Sequence, residues 1–345
     1  MDGELLTPAE LEELEFERGR LLARLAELDA LLAQQRRAPA DERPPADTCW
    51  VLLSSAGLLG RLDTAADLPT AGPRTTHDVI VSAVRTSGDY GVITNRGRVI
   101  RADPAELPTV PVTENPPNLQ GTRLARDLFS LDEGERVVGL TSLSPRLFGW
   151  ALGTRQGVVK RTNPDIPRRD EWEIIRLEEG DEVVGALDLA DDRQQLVFIT
   201  SDAQLLHYSA SAVRPQGRSG GGMVGIKLSP GQYVIYFGAA RMSSDFVVTN
   251  AGRSRGYQAD PGTVKITPLS QFPEKGRATA GVRCHRFLKG EDVLKLAWVG
   301  PQPVIAATVT GSPSNLPSAD AKRDGSGVQI ASSLAAIGTR ALTCP

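Results

Sequence analysis

A chain of 345 residues is longer than one core usually serves, so a large repeat fold or two domains is expected. Its 34 glycines and 24 prolines break long helices and favour many short strands, while three cysteines without CxxC spacing (Cys49, Cys284, Cys344) argue against a disulfide framework and a structural zinc site. The net charge of −3 hides an asymmetry: Ala210 to Gly290 holds 12 Lys and Arg against 3 Asp and Glu, which leaves −12 for the remainder.

Met1 to Leu6 shows no basic segment ahead of an apolar run, so no secretory leader is expected. No stretch approaches the roughly 18 to 20 apolar residues of a membrane span. A cytoplasmic protein with reduced thiols and no membrane partner is expected. Thr7-Pro8-Ala9-Glu10 reads as a helix start, with Thr7 as cap, Pro8 at the first helical position and Glu10 completing a capping box. Leu11, Leu14, Arg18, Leu21, Leu25, Leu28 and Leu32 follow at alternating spacings of 3 and 4, a heptad seam with one arginine in it. The pattern predicts an amphipathic coiled-coil helix over 1–36, a linker over 37–48 carrying Pro39, Pro44 and Pro45, and a β domain over 49–345. So short a seam is marginal alone in water. It must bury its leucines in a homodimer, against another helix or partner chain, or on the β domain.

From Trp50 the chain repeats one phrase: an apolar strand, a Ser/Thr turn with Gly, and a second strand that often ends in Lys or Arg. Trp50 to Arg61, Gly91 to Arg101, Trp150 to Arg161, Leu196 to His207 and Phe246 to Gly256 are copies, with a weaker one from Val304 to Gly311. The turns fall at 57, 97, 157, 203, 252 and 311, on average about 51 residues apart. Such hairpins need a positive φ, which Gly supplies without steric cost; in the fourth copy Asp202 is expected to take that conformation. A second phrase alternates with the first, as in Leu131 to Gly139, Leu177 to Gly185, Leu228 to Ile235 and Leu288 to Leu294. Two hairpin-like phrases per repeat make about four strands, and four-stranded units of this period mean blades around an axis. The prediction is an all-β ring of six blades behind one N-terminal heptad helix. Trp50, Trp150 and Trp298 are read as blade core, and Trp172, after a charged loop, as exposed.

Two stretches are more specific. Thr94-Asn95-Arg96-Gly97-Arg98-Val99, followed by Glu106-Leu107-Pro108, resembles a blade of the C-terminal domain of gyrase A proteins. Val213 to Leu228, with the skeleton R-x-x-G-R-x-x-x-G-x-x-G-I-K-L, resembles a later blade, and Leu6 to Leu32 is similar to the family's coiled-coil arm. The resemblance, to the A subunits of bacterial type IIA topoisomerases, implies a six-bladed β-pinwheel whose basic rim bends duplex DNA. It implies two partners, a topoisomerase core and a B subunit. It also implies ATP and Mg used elsewhere with no cofactor in this chain, and a nucleoid-associated location. Three features depart from the family. Tyr90, Tyr208, Tyr233, Tyr236 and Tyr257 all lie in or beside blade phrases, so none is assigned as the cleaving tyrosine. The segment that would return from the coiled coil to the core is missing. No Q-R-R-G-G-[KR]-G box lies between Arg61 and His77, which places the chain nearer the topoisomerase IV type or a gyrase-like paralogue. The chain alone is expected neither to cut nor to supercoil DNA.

Phosphate neutralisation needs Lys and Arg on loops and strand ends. The candidates are Arg155, Lys160, Arg161, Arg168 and Arg169, then Arg214, Arg218 and Lys227 around the glycine run, then Arg253, Arg255, Lys275, Arg277, Arg283, Arg286 and Lys289. With no recognition helix apparent, backbone binding and bending with little sequence preference are expected. A propeller-like protein-interaction scaffold is the competing function. Gly217-Arg218-Ser219-Gly220-Gly221 matches GxSxG, and Gly220, Gly222 and Gly225 match GxGxxG, but neither opens a helix, so hydrolase and dinucleotide readings fail. His77, His207 and His285, each beside a blade phrase, are read as structural.

Overall fold

The computed structural model describes residues 17–21, 24, 48–69, 79–144, 147–255, 261–319 and 321–339. The chain divides into two units, Met1–Ala46 and Asp47–Pro345. In the first, residues 17–21 and 24 are helical and exposed. The heptad positions other than Arg18 and Leu21, the Thr7 cap and residues 37–47 lie outside the described residues, as do His77, Tyr257 and Cys344.

The second unit is built by one move made repeatedly. β1 (Cys49–Ser54) and β2 (Leu58–Leu62) form a hairpin, and β3 (Ile80–Thr86) adds to the free side of β1. β4 (Tyr90–Thr94) and β5 (Arg98–Ala102) form the next hairpin. The chain then turns back: β6 (Arg123–Leu124) pairs with β2 of the previous sheet before β7 (Val137–Thr141) adds to β4. After the hairpin of β8 (Trp150–Thr154) and β9 (Val158–Thr162), β10 (Glu171–Glu173) returns to β5, and β11 (Val183–Asp188) joins β8. After β12 (Gln195–Thr200) and β13 (Gln204–Ser209), β14 (Met223–Val224) returns to β9, and β15 (Val234–Ala240) joins β12. After β16 (Asp245–Gly252) and β17 (Thr263–Pro268), β18 (Val282–Arg283) returns to β13, and β19 (Val293–Pro301) joins β16. After β20 (Val304–Thr308) and β21 (Pro313–Ser314), β22 (Val328–Gln329) returns to β17, and β23 (Leu334–Thr339) joins β20.

Among the described residues this makes five four-stranded sheets and one three-stranded sheet, the six expected blades. The second sequence phrase does not close a hairpin inside a blade. It carries the chain from the outer strand of one blade to the inner strand of the next, so adjacent blades interlock. The inner strands β3, β7, β11, β15, β19 and β23 surround a central cavity of about 440 Å³. Blade six closes on blade one where Val79 packs against Ile305, Ala307 and Ala336. Each exposed outer strand is two or three residues long, which keeps the free edges short.

The apolar cores lie between blades. Val51, Leu59 and Val84 of blade one pack with Val92 and Leu140 of blade two. Ile93 and Val99 of blade two pack with Trp150 and Leu152 of blade three. The same sharing joins blades three and four, four and five, and five and six. Strands buried on both faces read as continuous apolar runs, which is why β1 and β4 are visible without alternation. Trp172 is 5% exposed, against the expectation of exposure. It sits on β10, an edge strand covered by the blade core and by the Arg101 guanidinium 5.7 Å from its ring.

The hairpin turns sharpen two expectations. Ala203 (φ 61), not Asp202, takes the left-handed position in the fourth copy. The turn geometry fixes the residue just before the second strand, whatever its type. In the fifth copy Gly252 ends β16, and Gly262 (φ 66) makes the turn into β17. A Cβ on Gly262 would stand 1.8 Å from the Ala251 carbonyl oxygen. Gly262→Ala is therefore expected to destabilise the domain by more than about 1–2 kcal/mol in denaturant melts.

Candidate nucleic-acid interface

Because each outer strand is reached from the neighbouring blade, a loop must cross the blade edge ahead of it. Ahead of β10, β14, β18 and β22 these loops carry Arg168 and Arg169, Arg214 and Arg218, Lys275 and Arg277, and Lys322 and Arg323. Backbone bonds join one edge to the next. Arg176 N donates to Gly220 O at 3.3 Å, Ala278 N to Gly225 O at 2.8 Å, Lys227 N to Thr279 O at 3.0 Å and Arg286 N to Gly325 O at 3.0 Å. Arg218 also pairs with Asp165 across 2.8 Å. The outer edges of blades two to five thus form one band.

The cations are unequal along it. Blade two's edge mixes Arg168 and Arg169 with Asp165, Asp170, Glu171 and Glu173. Blades three and four carry the excess: Arg214, Lys227, Lys275, Arg283 and Arg286 are exposed, and Arg218 and Arg277 half-buried. Arg277 donates to the Val224 carbonyl of the neighbouring edge, which holds the two together. Blade one's equivalent loop, 111–122, carries Glu114 and no Lys or Arg.

Six of the fifteen candidates lie elsewhere. Lys160 is fully buried, and its Nζ donates to Arg218 O at 2.8 Å and Gly220 O at 2.7 Å. Burial pushes its ammonium down to about 8. Arg161 is 8% exposed, lies over the Phe148 ring at 4.6 Å and donates to Ala210 O at 3.4 Å. Both sit inside β9, where the crossing loop covers them. Arg155, at the β8–β9 turn, stacks on Tyr233 at 3.7 Å and approaches Glu182 to 3.8 Å. With Arg136, Arg253 and Lys295 it lines a separate pocket of about 490 Å³ at the strand ends. Arg255 follows β16 and Lys289 lies in the turn into β19, both exposed and off the band. Arg176, Lys322 and Arg323 were missed. Their signal was position, ahead of or just after a returning outer strand, and that strand is too short to recognise from sequence.

The described part of the β unit holds only helical pieces of three or four residues, so nothing there could enter a major groove as a recognition helix. The glycine run leads into strand β14, not into the helix that the rejected phosphate motifs require. His207 and His285 are buried: His207 Nε2 lies 3.1 Å from Phe272 O, and His285 bonds Thr249 Oγ1 at 2.8 Å. Burial holds the His285 imidazole down at about 4, so it is neutral. Cys49 and Cys284 are buried and free.

A family model described as the DNA gyrase C-terminal domain, beta-propeller, matches residues 173–189, 194–240 and 262–297. The middle segment contains Val213 to Leu228, the run that carries the resemblance. The chain is 29% identical over 199 residues to the gyrase A protein of Mycobacterium leprae, covering 55% of this chain and 14% of that protein. It is 30% identical over 170 residues to the gyrase A protein of Pseudomonas aeruginosa, covering 47% and 17%. The chain therefore spans only a small part of these relatives. In fold it is similar to the C-terminal domain of DNA topoisomerase IV, with a TM-score of 0.66 and 18% identity over 85% of this chain and 93% of that one. It is also similar to the DNA gyrase A C-terminal domain, with a TM-score of 0.56 and 16% identity over 84% and 98%.

Proposed function

We propose that this chain, whose β unit is a propeller of the gyrase A and topoisomerase IV C-terminal type, binds duplex DNA along its outer band and bends it. The cationic edge shared by blades three and four supports this reading most directly. Duplex DNA laid across it would meet Arg214, Arg218, Lys227, Lys275, Arg277, Arg283 and Arg286, with Lys322 and Arg323 next along the band. Arginines beside glycine-rich turns can reach phosphates while backbone N–H groups approach closely. A curved band of phosphate contacts favours DNA that follows it, so binding would bend the duplex with little sequence preference. In a complete enzyme the chain would present DNA to a topoisomerase core and work with a B subunit. Strand cleavage, ATP hydrolysis and Mg would belong to those parts, and the heptad helix would supply a dimer contact or pack on the core.

The test is a salt titration of the purified chain on a fluorescent duplex. With about seven phosphate contacts, log affinity should fall linearly with log salt at a slope near −6. Absence of binding at about 50 mM salt, or capture of a protein partner by a chain indifferent to DNA, would sink the reading.

A further inference from the structure

We propose that Lys160, Lys265 and Arg101 are positioning residues for DNA binding, each seated behind the outer band and holding the backbone of the loop that carries the exposed cations. The proposal rests on the DNA-binding reading above. The same arrangement recurs in three blades. In blade two Arg101 Nη2 donates to Pro167 O at 2.8 Å and its Nε to Arg169 O at 3.3 Å. In blade three Lys160 Nζ bonds the carbonyls of Arg218 and Gly220 at 2.8 and 2.7 Å. In blade five Lys265 Nζ bonds the Lys322 carbonyl at 3.0 Å and also the Arg323 carbonyl. In each case an inner cation grips the main chain of an outer arginine.

Lys160 and Lys265 stand at the same place in the repeat, three residues after the turn glycines Gly157 and Gly262. The blade-four equivalent is Leu206, fully at home in the core, so the fold does not require an ammonium there. The lysines are 0% and 2% exposed, and burying a charge is costly unless it is hydrogen-bonded. Each lysine adds to bonds that already hold its loop: 217–222, with four glycines, is also clasped by Gln216, whose side chain exchanges two bonds with Gly222, and Arg323 N donates to Gln271 Oε1 at 3.0 Å. A glycine-rich loop has many conformations to lose on binding. Two carbonyls fixed by one ammonium remove much of that loss beforehand, which is preorganisation. The buried charge is also weakly screened from the band in front of it.

The test separates positioning from contact. Lys160→Met and Lys265→Met are measured for DNA affinity across a salt series, with amide hydrogen exchange over 217–222 and 322–327. Each variant is expected to lose about three- to tenfold in affinity. The salt slope should stay within about half a unit of the parent, because no phosphate contact is lost, and exchange should quicken only in the loop concerned. Lys160→Arg is expected to recover most of the loss. A slope reduced by about one unit would make the lysine a direct contact and overturn the proposal. So would unchanged affinity with unchanged exchange, or failure of both methionine variants to fold. If the parent chain itself does not bind DNA, the DNA reading has failed, whereas altered variants of a binding parent test only the positioning.

Discussion

Trp150→Ala is expected to lower the stability of the β unit by about 3–5 kcal/mol, among the largest effects a single core change can have. Trp150 is 0% exposed and opens β8. Its indole Nε1 donates to Thr141 Oγ1 at 2.9 Å, on β7 of the preceding blade. Its ring packs with Ile93, Val99, Trp172 and Ile174, all carried on the sheet of blade two or on the segment just after its outer strand. Truncation therefore opens a cavity at a joint between blades and takes the donor from a buried hydroxyl. Because the cores are shared, the damage should appear in a single cooperative melt, the midpoint falling by roughly 6–15 °C. Trp150→Phe, which keeps most of the volume and loses the bond, should cost about 1–2 kcal/mol. A loss below about 1 kcal/mol for the alanine variant would mean that the joints between blades do not hold the ring.

Replacing Arg214, Lys227, Arg283 and Arg286 together by alanine is expected to reduce the salt slope of DNA binding by about 3 to 4 units. At about 0.1 M salt that change corresponds to roughly a thousandfold loss of affinity. All four are exposed on the edges of blades three and four, and none is part of a core. The thermal midpoint should stay close to the parent's, since surface changes away from caps and networks usually fall within about 0.5 kcal/mol. The matching control is Arg155→Ala with Arg253→Ala, at the strand ends and off the band, which should move the slope by less than about one unit. Equal losses in both variants would mean that charge alone governs binding and that the band has no special place.

The two variants probe different kinds of information. Trp150 is readable from sequence: a large apolar residue opening a run such as Trp150-Ala151-Leu152 signals a strand buried on both faces. The cations are not. Arg161 and Arg168 are both arginines within one stretch, yet one lies under a loop and the other faces solvent. Lys160 carries the same charge as Lys227 and is fully buried. Side-chain charge states what a residue can bind, not which way its strand faces, and that depends on a loop from the next blade.

The count of six blades and most hairpin copies and glycine turns were legible in the residues, because they rest on local forces: positive φ at a tight turn, and apolar strands of five or six residues. The left-handed position of Ala203 and the fifth hairpin's turn at Gly262, instead of Gly252, were not. Tertiary structure alone decided which strand ends each sheet. Outer strands such as Met223–Val224 and Val282–Arg283 are two residues long and too short to carry alternation. Their partners lie in the previous blade, so no local pattern could assign them. That exchange carries the crossing loops over the blade edges, buries Lys160 and Trp172, and lines up Arg214, Lys227 and Arg283. The ring was written in local sequence. The cationic band on its outer edge was set by contacts between neighbouring blades, a distance over which a chain's own order says little.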